Sequence, residues 1–190
     1  MHSEAGTAGR ELPRRAVLRG GAALAWLLTG GLFAARAEAR SLRVGEPAPP
    51  AVLITLGGER IDSRDLRGRV VILTFWATYC VPCRTELPLL SDYAAAHAGD
   101  GLSVLGFCLD EPDQASAVRR VADSLKFPVG FMREDSAPGY GRIWRLPVSF
   151  TIDRAGLLVE NGWAQKEPAW TAQHLERVVS PLLASDSSAR

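Results

Sequence analysis

Val70-Val71-Ile72-Leu73-Thr74-Phe75-Trp76-Ala77-Thr78-Tyr79-Cys80-Val81-Pro82-Cys83-Arg84 decides the fold. Its first half is a nearly continuous apolar run, as expected of a strand covered on both faces. Its second half places two thiols three residues apart at the start of a helix. Residues i and i+3 share a helix face, so the two sulfurs can meet. A thiol at a helix N-terminus lies beside unpaired N–H groups and the positive end of the helix dipole, which favour the thiolate. The thiolate is the form that attacks disulfides. Strand, turn and Cys-x-x-Cys helix together describe a reversible dithiol.

Outward from this stretch, the pattern alternates strands and helices. Val52, Ile54 and Leu56 followed by Gly57-Gly58 and Glu59-Arg60-Ile61 predict a hairpin. A helix is predicted over 81–98, with Leu87, Leu90 and Ala94 facing the core, Pro88 kinking it and Gly99 ending it. A buried strand is expected over 102–109, a helix over 113–126 with Val118, Val121 and Leu125 aligned, and a short strand over 129–132. Residues 138–144 read as a short helix or irregular turn. A second hairpin is expected over 149–153 and 157–163, turning at Arg154-Ala155-Gly156. A last helix starts at Pro168 and aligns Leu175, Val178 and Leu182. The fold class is α/β: a mostly parallel central sheet covered on both sides, with antiparallel strands added by the late hairpin.

Residues 1–39 read as an export signal. Arg14, Arg15 and Arg19 precede an uncharged apolar stretch over 20–35, and the small-x-small sites Ala35-Arg36-Ala37 and Ala37-Glu38-Ala39 follow. Pro13-Arg14-Arg15-Ala16-Val17-Leu18-Arg19 fits a twin-arginine export motif. The alternative is an uncleaved membrane anchor, although the stretch is short for a span and rich in glycine. Either way the destination is outside the bacterial cytoplasm, periplasmic or extracytoplasmic. Residues 40–184 then form one domain, and 185–190 a flexible tail. The chain carries 22 Lys and Arg against 21 Asp and Glu, which gives no basic surface for a nucleic-acid partner.

The three cysteines are Cys80, Cys83 and Cys108. A bridge between Cys80 and Cys83 closes too small a loop to be a useful staple. Zinc needs about four ligands, and His97 and His174 lie far from the pair in sequence, so no metal is assigned. No cofactor is expected. Cys108, inside Leu105-Gly106-Phe107-Cys108-Leu109, reads as a small buried hydrophobe. His97 reads as a helix-end residue and His174 as a part-exposed helix residue.

Several segments in order resemble the exported thiol-disulfide oxidoreductases of the TlpA/ResA class, which have a thioredoxin-like fold. They are Val44-Gly45-Glu46-Pro47-Ala48-Pro49, Asp65-Leu66-Arg67-Gly68-Arg69-Val70-Val71, the Cys-x-x-Cys motif, Glu86-Leu87-Pro88, and Leu146-Pro147-Val148-Ser149-Phe150-Thr151-Ile152-Asp153-Arg154-Ala155-Gly156. The resemblance spans about 43–180. It implies a central mixed sheet flanked by helices, an N-terminal β-hairpin and an α-β insertion. It also implies a cis bond at Pro147, with the Leu146–Pro147 backbone beside the sulfurs and available to pair with an extended substrate.

The expected catalytic residues are Cys80 as nucleophile, Cys83 as resolving thiol, Glu86 as proton acceptor and Pro147. Trp76, Tyr79, Pro82 and Leu146 are expected to contact substrate. Pro82 restricts the backbone between the thiols. The sequence departs from the family at Tyr79, where Trp is usual, and at Leu146, where Thr or Val is common. Thr74 occupies the position six residues before Cys80 where thioredoxin proper carries a buried Asp, which moves the proton-transfer role to Glu86.

The implied partners are client proteins with disulfides or thiols, such as an apocytochrome c or a copper-site protein, and a membrane electron donor. Competing readings are a general disulfide oxidant or isomerase, a copper chaperone using both thiols as soft ligands, and a peroxiredoxin. The last normally lacks a second cysteine three residues on.

Overall fold

β3 (Val70–Trp76) is the middle of a five-stranded sheet, and all seven of its residues are buried. The computed structural model describes residues 42–165 and 170–185. The expected export signal and Pro168 lie outside these residues, as does the expected tail apart from Ser185. Ahead of β3, β1 (Val52–Ile54) and β2 (Arg60–Asp62) form a separate antiparallel hairpin. After β3 come α1 (Val81–Ala96), β4 (Leu102–Cys108), α2 (Ala115–Ala122), β5 (Val129–Phe131), β6 (Val148–Ile152), β7 (Leu158–Asn161), α3 (Ala172–Val178) and α4 (Ser180–Ala184).

The sheet order is β5-β4-β3-β6-β7. The pairs β3–β4 and β4–β5 are parallel, and α1 and α2 lie in their crossovers. β6 and β7 add antiparallel, with a bulge between Thr151 and Ile152. α2 and β5 are the helix–strand segment expected as an insertion. The N-terminal hairpin reaches the sheet's edge through β5: Leu56 N–H donates to the Val129 carbonyl at 2.9 Å. Gly130 permits this approach, since a Cβ there would lie 1.9 Å from the Ile54 carbonyl oxygen.

Alternation along β3 divides the core in two. Val70, Ile72 and Trp76 face a cluster with Leu87, Leu90, Leu175 and Val179. Val71, Leu73 and Phe75 face Leu53, Phe107, Tyr140 and Phe150. In the second cluster Phe75 stacks on Phe107 with centroids 5.0 Å apart and meets Phe150 edge-on at 5.9 Å.

Several boundaries move from their expected places. α1 ends at Ala96, and His97 N–H closes it on the Tyr93 carbonyl. The left-handed residue that follows is Gly101, not Gly99. α2 is shorter than 113–126, because Pro112 starts a 3-10 turn that delays it to Ala115. The last helix is two pieces. Pro181 has no N–H to continue the ladder and stands in the first turn of α4. Trp163 falls outside β7, in a short 3-10 turn.

Leu73 is fully buried in the centre of the sheet. Leu73→Ala is expected to cost about 2–5 kcal/mol, read as a lowered midpoint in denaturant unfolding with an unchanged slope.

Candidate active site

The chain leaves β3 at Trp76, turns through Ala77, Thr78 and Tyr79, and enters α1 at Val81. Cys80 is the helix N-cap. Its Sγ accepts the Cys83 N–H at 3.2 Å, taking the place of the oxygen that usually satisfies the first turn. Pro82 sits in that first turn, where its missing N–H costs nothing. Cys80 and Cys83 form a disulfide, with Cα atoms 5.3 Å apart.

The two sulfur-bearing residues are not equivalent. Cys80 lines an open cleft of about 450 Å³ together with Tyr79, Val81, Pro82, Leu109, Ile143, Trp144, Arg145 and Leu146. Cys83 does not line it and is 1 % exposed, against 6 % for Cys80, so the two differ by access to the cleft more than by exposed area. Any group entering the cleft meets Cys80 first.

The far wall of the cleft comes from the loop before β6. The Leu146–Pro147 peptide bond is cis, and Leu146 contributes to the lining while Pro147 is buried. Of the residues expected to contact substrate, Tyr79, Pro82 and Leu146 are brought together here. Trp76 is not. It is 1 % exposed and belongs to the core beneath α1, because its register on β3 turns it inward.

Glu86 follows Cys83 by one helical turn and points into the same interior, 5 % exposed. Its Oε1 has no hydrogen-bond partner among the described residues. Burial pushes its carboxyl from 4.5 up to about 7, and a hydrogen bond from the Trp170 backbone pulls partly the other way. Thr74 lies in a chain of buried hydrogen bonds: Trp170 Nε1 donates to Ser149 Oγ at 3.0 Å, and Ser149 Oγ donates to Thr74 Oγ1 at 3.0 Å. Neither Ser149 nor Thr74 carries a group that titrates near neutral pH, whereas Glu86, buried one helical turn beyond Cys83, does.

Sequence reading missed Asp110. This residue is 8 % exposed, just beyond the end of β4. It accepts the Thr78 backbone N–H at 2.7 Å and the Thr78 hydroxyl, and it receives the Cys108 thiol at 3.1 Å. One carboxylate therefore ties down the turn that presents Cys80. Cys108 is fully buried, as expected, but it is also a hydrogen-bond donor. Burial pushes its thiol up to about 12; the Asp110 backbone N–H pulls partly the other way and the Asp110 carboxylate adds to the rise, so the thiol stays protonated and unreactive at neutral pH. The two histidines among the described residues lie elsewhere: His97 pairs with Asp100 at 2.8 Å and His174 with Glu160 at 2.6 Å. Among the described residues, no three His, Cys, Asp or Glu side chains are grouped to hold a metal ion.

Comparison with known proteins agrees with this geometry. Residues 44–160 match the model of the AhpC/TSA family. The thiol-disulfide oxidoreductase ResA of Bacillus thuringiensis (strain Al Hakam) is 33 % identical over 140 residues, covering 73 % of this chain and 78 % of the relative. ResA of Halalkalibacterium halodurans is 33 % identical over 141 residues, covering 73 % and 77 %. The chain belongs to the AhpC/TSA family and is a thiol-disulfide oxidoreductase of the ResA type. Solved structures place the ResA-type chain among thioredoxin-like folds. A thioredoxin-family thiol:disulfide interchange protein from Chlorobium tepidum TLS superposes with TM-score 0.63 at 25 % identity, covering 75 % of this chain and 99 % of its own. StoA from Bacillus subtilis superposes with TM-score 0.54 at 26 % identity, covering 69 % and 96 %.

Asp110→Ala leaves the Thr78 amide and hydroxyl without their acceptor. It is expected to destabilise the protein by about 1–3 kcal/mol and to slow disulfide exchange. Thr78→Val, which keeps the backbone bond, should lose less on both counts. Denaturant midpoints and insulin-reduction rates check this ordering.

Proposed function

We propose that this oxidoreductase works outside the cytoplasm as a reductant of disulfides in particular client proteins. The observation that carries the reading is the asymmetry of the pair. One sulfur borders an open cleft, and the other is enclosed one helical turn from a buried carboxyl.

In the reduced protein the Cys80 thiolate attacks one sulfur of a client disulfide. A Cys80–client bond forms, and the client's other sulfur leaves as a thiolate. Cys83 gives its proton to Glu86 and attacks Cys80 Sγ. The Cys80–Cys83 bond closes, and the second client sulfur leaves. The client gains two electrons and the protein dithiol is oxidised. A membrane-bound dithiol donor then reverses the last bond to restore Cys80 and Cys83. The loop before β6 supports the reading, because Ile143, Trp144, Arg145 and Leu146 line the cleft at Cys80, where an extended client strand would lie.

Export rests on the reading of residues 1–39. Among the described residues, no helix is long and apolar enough to cross a membrane. Cytochrome c and copper-site precursors, with cysteines that must be reduced before assembly, are the clients that suit such a reductant. A reduction potential near about −270 mV supports a reductant, and one near about −120 mV an oxidant.

Cys83→Ala removes the resolving thiol, so a client should remain attached to Cys80. Purification from the native host under non-reducing conditions, with mass spectrometry of the adducts, should find a cysteine-containing protein released by dithiothreitol. The absence of any such adduct contradicts the proposal.

Glu86 gives a second test. Its carboxylate accepts the Cys83 proton only once ionised, so its contribution to resolution rises as pH passes about 7. Glu86→Gln should remove that inflection from the pH–rate profile. Stability runs the other way. Between 4.5 and about 7 the folded state holds a proton that the unfolded chain has released, so stability falls as pH rises through this window. At pH 8, Glu86→Gln should therefore unfold at higher urea concentration than wild type, provided the amide finds partners in that pocket.

A further inference from the structure

The described residues include four exposed large apolar side chains: Val44, Tyr79, Val81 and Trp144. Three of them, all but Val44, line the cleft at Cys80. Trp144 is 71 % exposed, more than either of the others, and stands three residues before Pro147. It is held in place from below. Its ring stacks on Trp163 with centroids 5.6 Å apart and planes 10° from parallel. Trp163 is itself fixed, its Nε1 donating to the Tyr140 carbonyl at 2.8 Å.

Among the described residues, Arg145 is the one charged residue lining the cleft. Its guanidinium lies 5.6 Å and 5.8 Å from the Trp144 and Trp163 centroids, and it donates to the carbonyls of Gly162 and Gln165. The cation is thus engaged with the protein's own backbone. The cleft's exposed lining is about evenly polar and apolar, and its apolar share is carried by large exposed side chains, Tyr79, Val81 and Trp144, beside the sulfur. Clustered bare apolar surface marks an interaction site, and fixed aromatic side chains are the usual anchors of such sites.

We infer that Trp144 selects the client: the cleft takes an extended segment whose cysteine is flanked by large apolar or aromatic side chains, which pack on Trp144, Tyr79 and Val81. This rests on the reading that Cys80 exchanges with client disulfides, and it adds which sequences around the cysteine are chosen. Trp144 is a specificity determinant and has no part in moving electrons or protons.

The test uses two synthetic peptides, each with one cysteine carried as a mixed disulfide with 5-thio-2-nitrobenzoate. One has Phe and Leu around the cysteine, the other Ser and Gln. The dithiothreitol-reduced protein, freed of reductant, gives up two electrons per peptide. It becomes the Cys80–Cys83 disulfide and releases peptide thiol and the coloured thiol, which absorbance follows. The ratio of the two second-order rate constants cancels any general loss of fold or reactivity.

Wild type should prefer the apolar peptide by about tenfold, and Trp144→Ala should bring the ratio close to one. Val44→Ala, outside the cleft, should leave the ratio as in wild type. A wild-type ratio near one, or an undiminished ratio in Trp144→Ala, overturns the inference. No reaction with either peptide or with glutathione disulfide would instead bring down the underlying exchange reading. Sedimentation completes the test: concentration-dependent dimerisation lost in Trp144→Ala would assign the surface to a second copy of this chain and overturn the client reading.

Discussion

The whole site depends on helix α1 beginning at a cysteine. The Cys83 N–H donates to Cys80 Sγ, so a sulfur serves as the cap of the first turn. That single bond fixes where both thiols stand. The capping sulfur is left lining the cleft, while helical periodicity carries Cys83 and then Glu86 into the interior. An ordinary Ser or Asp cap would stabilise the helix equally well and leave the protein without chemistry.

Three separate parts of the fold hold that cap in position. β3 delivers the chain from the centre of the sheet, where every residue is buried and the exit point cannot drift. Asp110 grips the turn between strand and helix through both polar groups of Thr78. The loop before β6 forms the opposite wall through Ile143, Trp144, Arg145 and Leu146. The same burial that fixes the geometry sets the protonation chemistry. It raises Glu86 to about 7, where the side chain can exchange protons, and raises Cys108 to about 12, where the thiol is inert.

What was legible in the sequence was what is local in the chain. The apolar run of β3, the Cys-x-x-Cys spacing and the position of Glu86 three residues beyond Cys83 each follow from a short window and a known period. The hairpins were visible from their glycines. Asp110 was not visible, since a lone acid after a strand reads as an ordinary turn residue. Its role arises only because β3 and β4 pair in parallel register, Trp76 opposite Cys108, which sets residue 110 beside residue 78. Trp76 could be read from the sequence equally as substrate contact or as core; the β3 pleat turns it into the core, in the same buried cluster as Cys80 and Cys83. The exposure of Trp144 was equally hidden, because its support comes from Trp163, beyond β6 and β7. The division of the last helix is a case of local chemistry that the apolar spacing of Leu175, Val178 and Leu182 concealed.

The central claim is that one thiol of the pair lines the open cleft and the other is withheld from it. Timed alkylation tests it directly. The reduced protein is exposed to substoichiometric iodoacetamide at neutral pH, and the labelled cysteines are mapped by mass spectrometry. The account predicts that Cys80 is modified first, with Cys83 and Cys108 spared until the protein is unfolded. Modification of Cys83 as fast as Cys80, in a protein that remains folded, contradicts it.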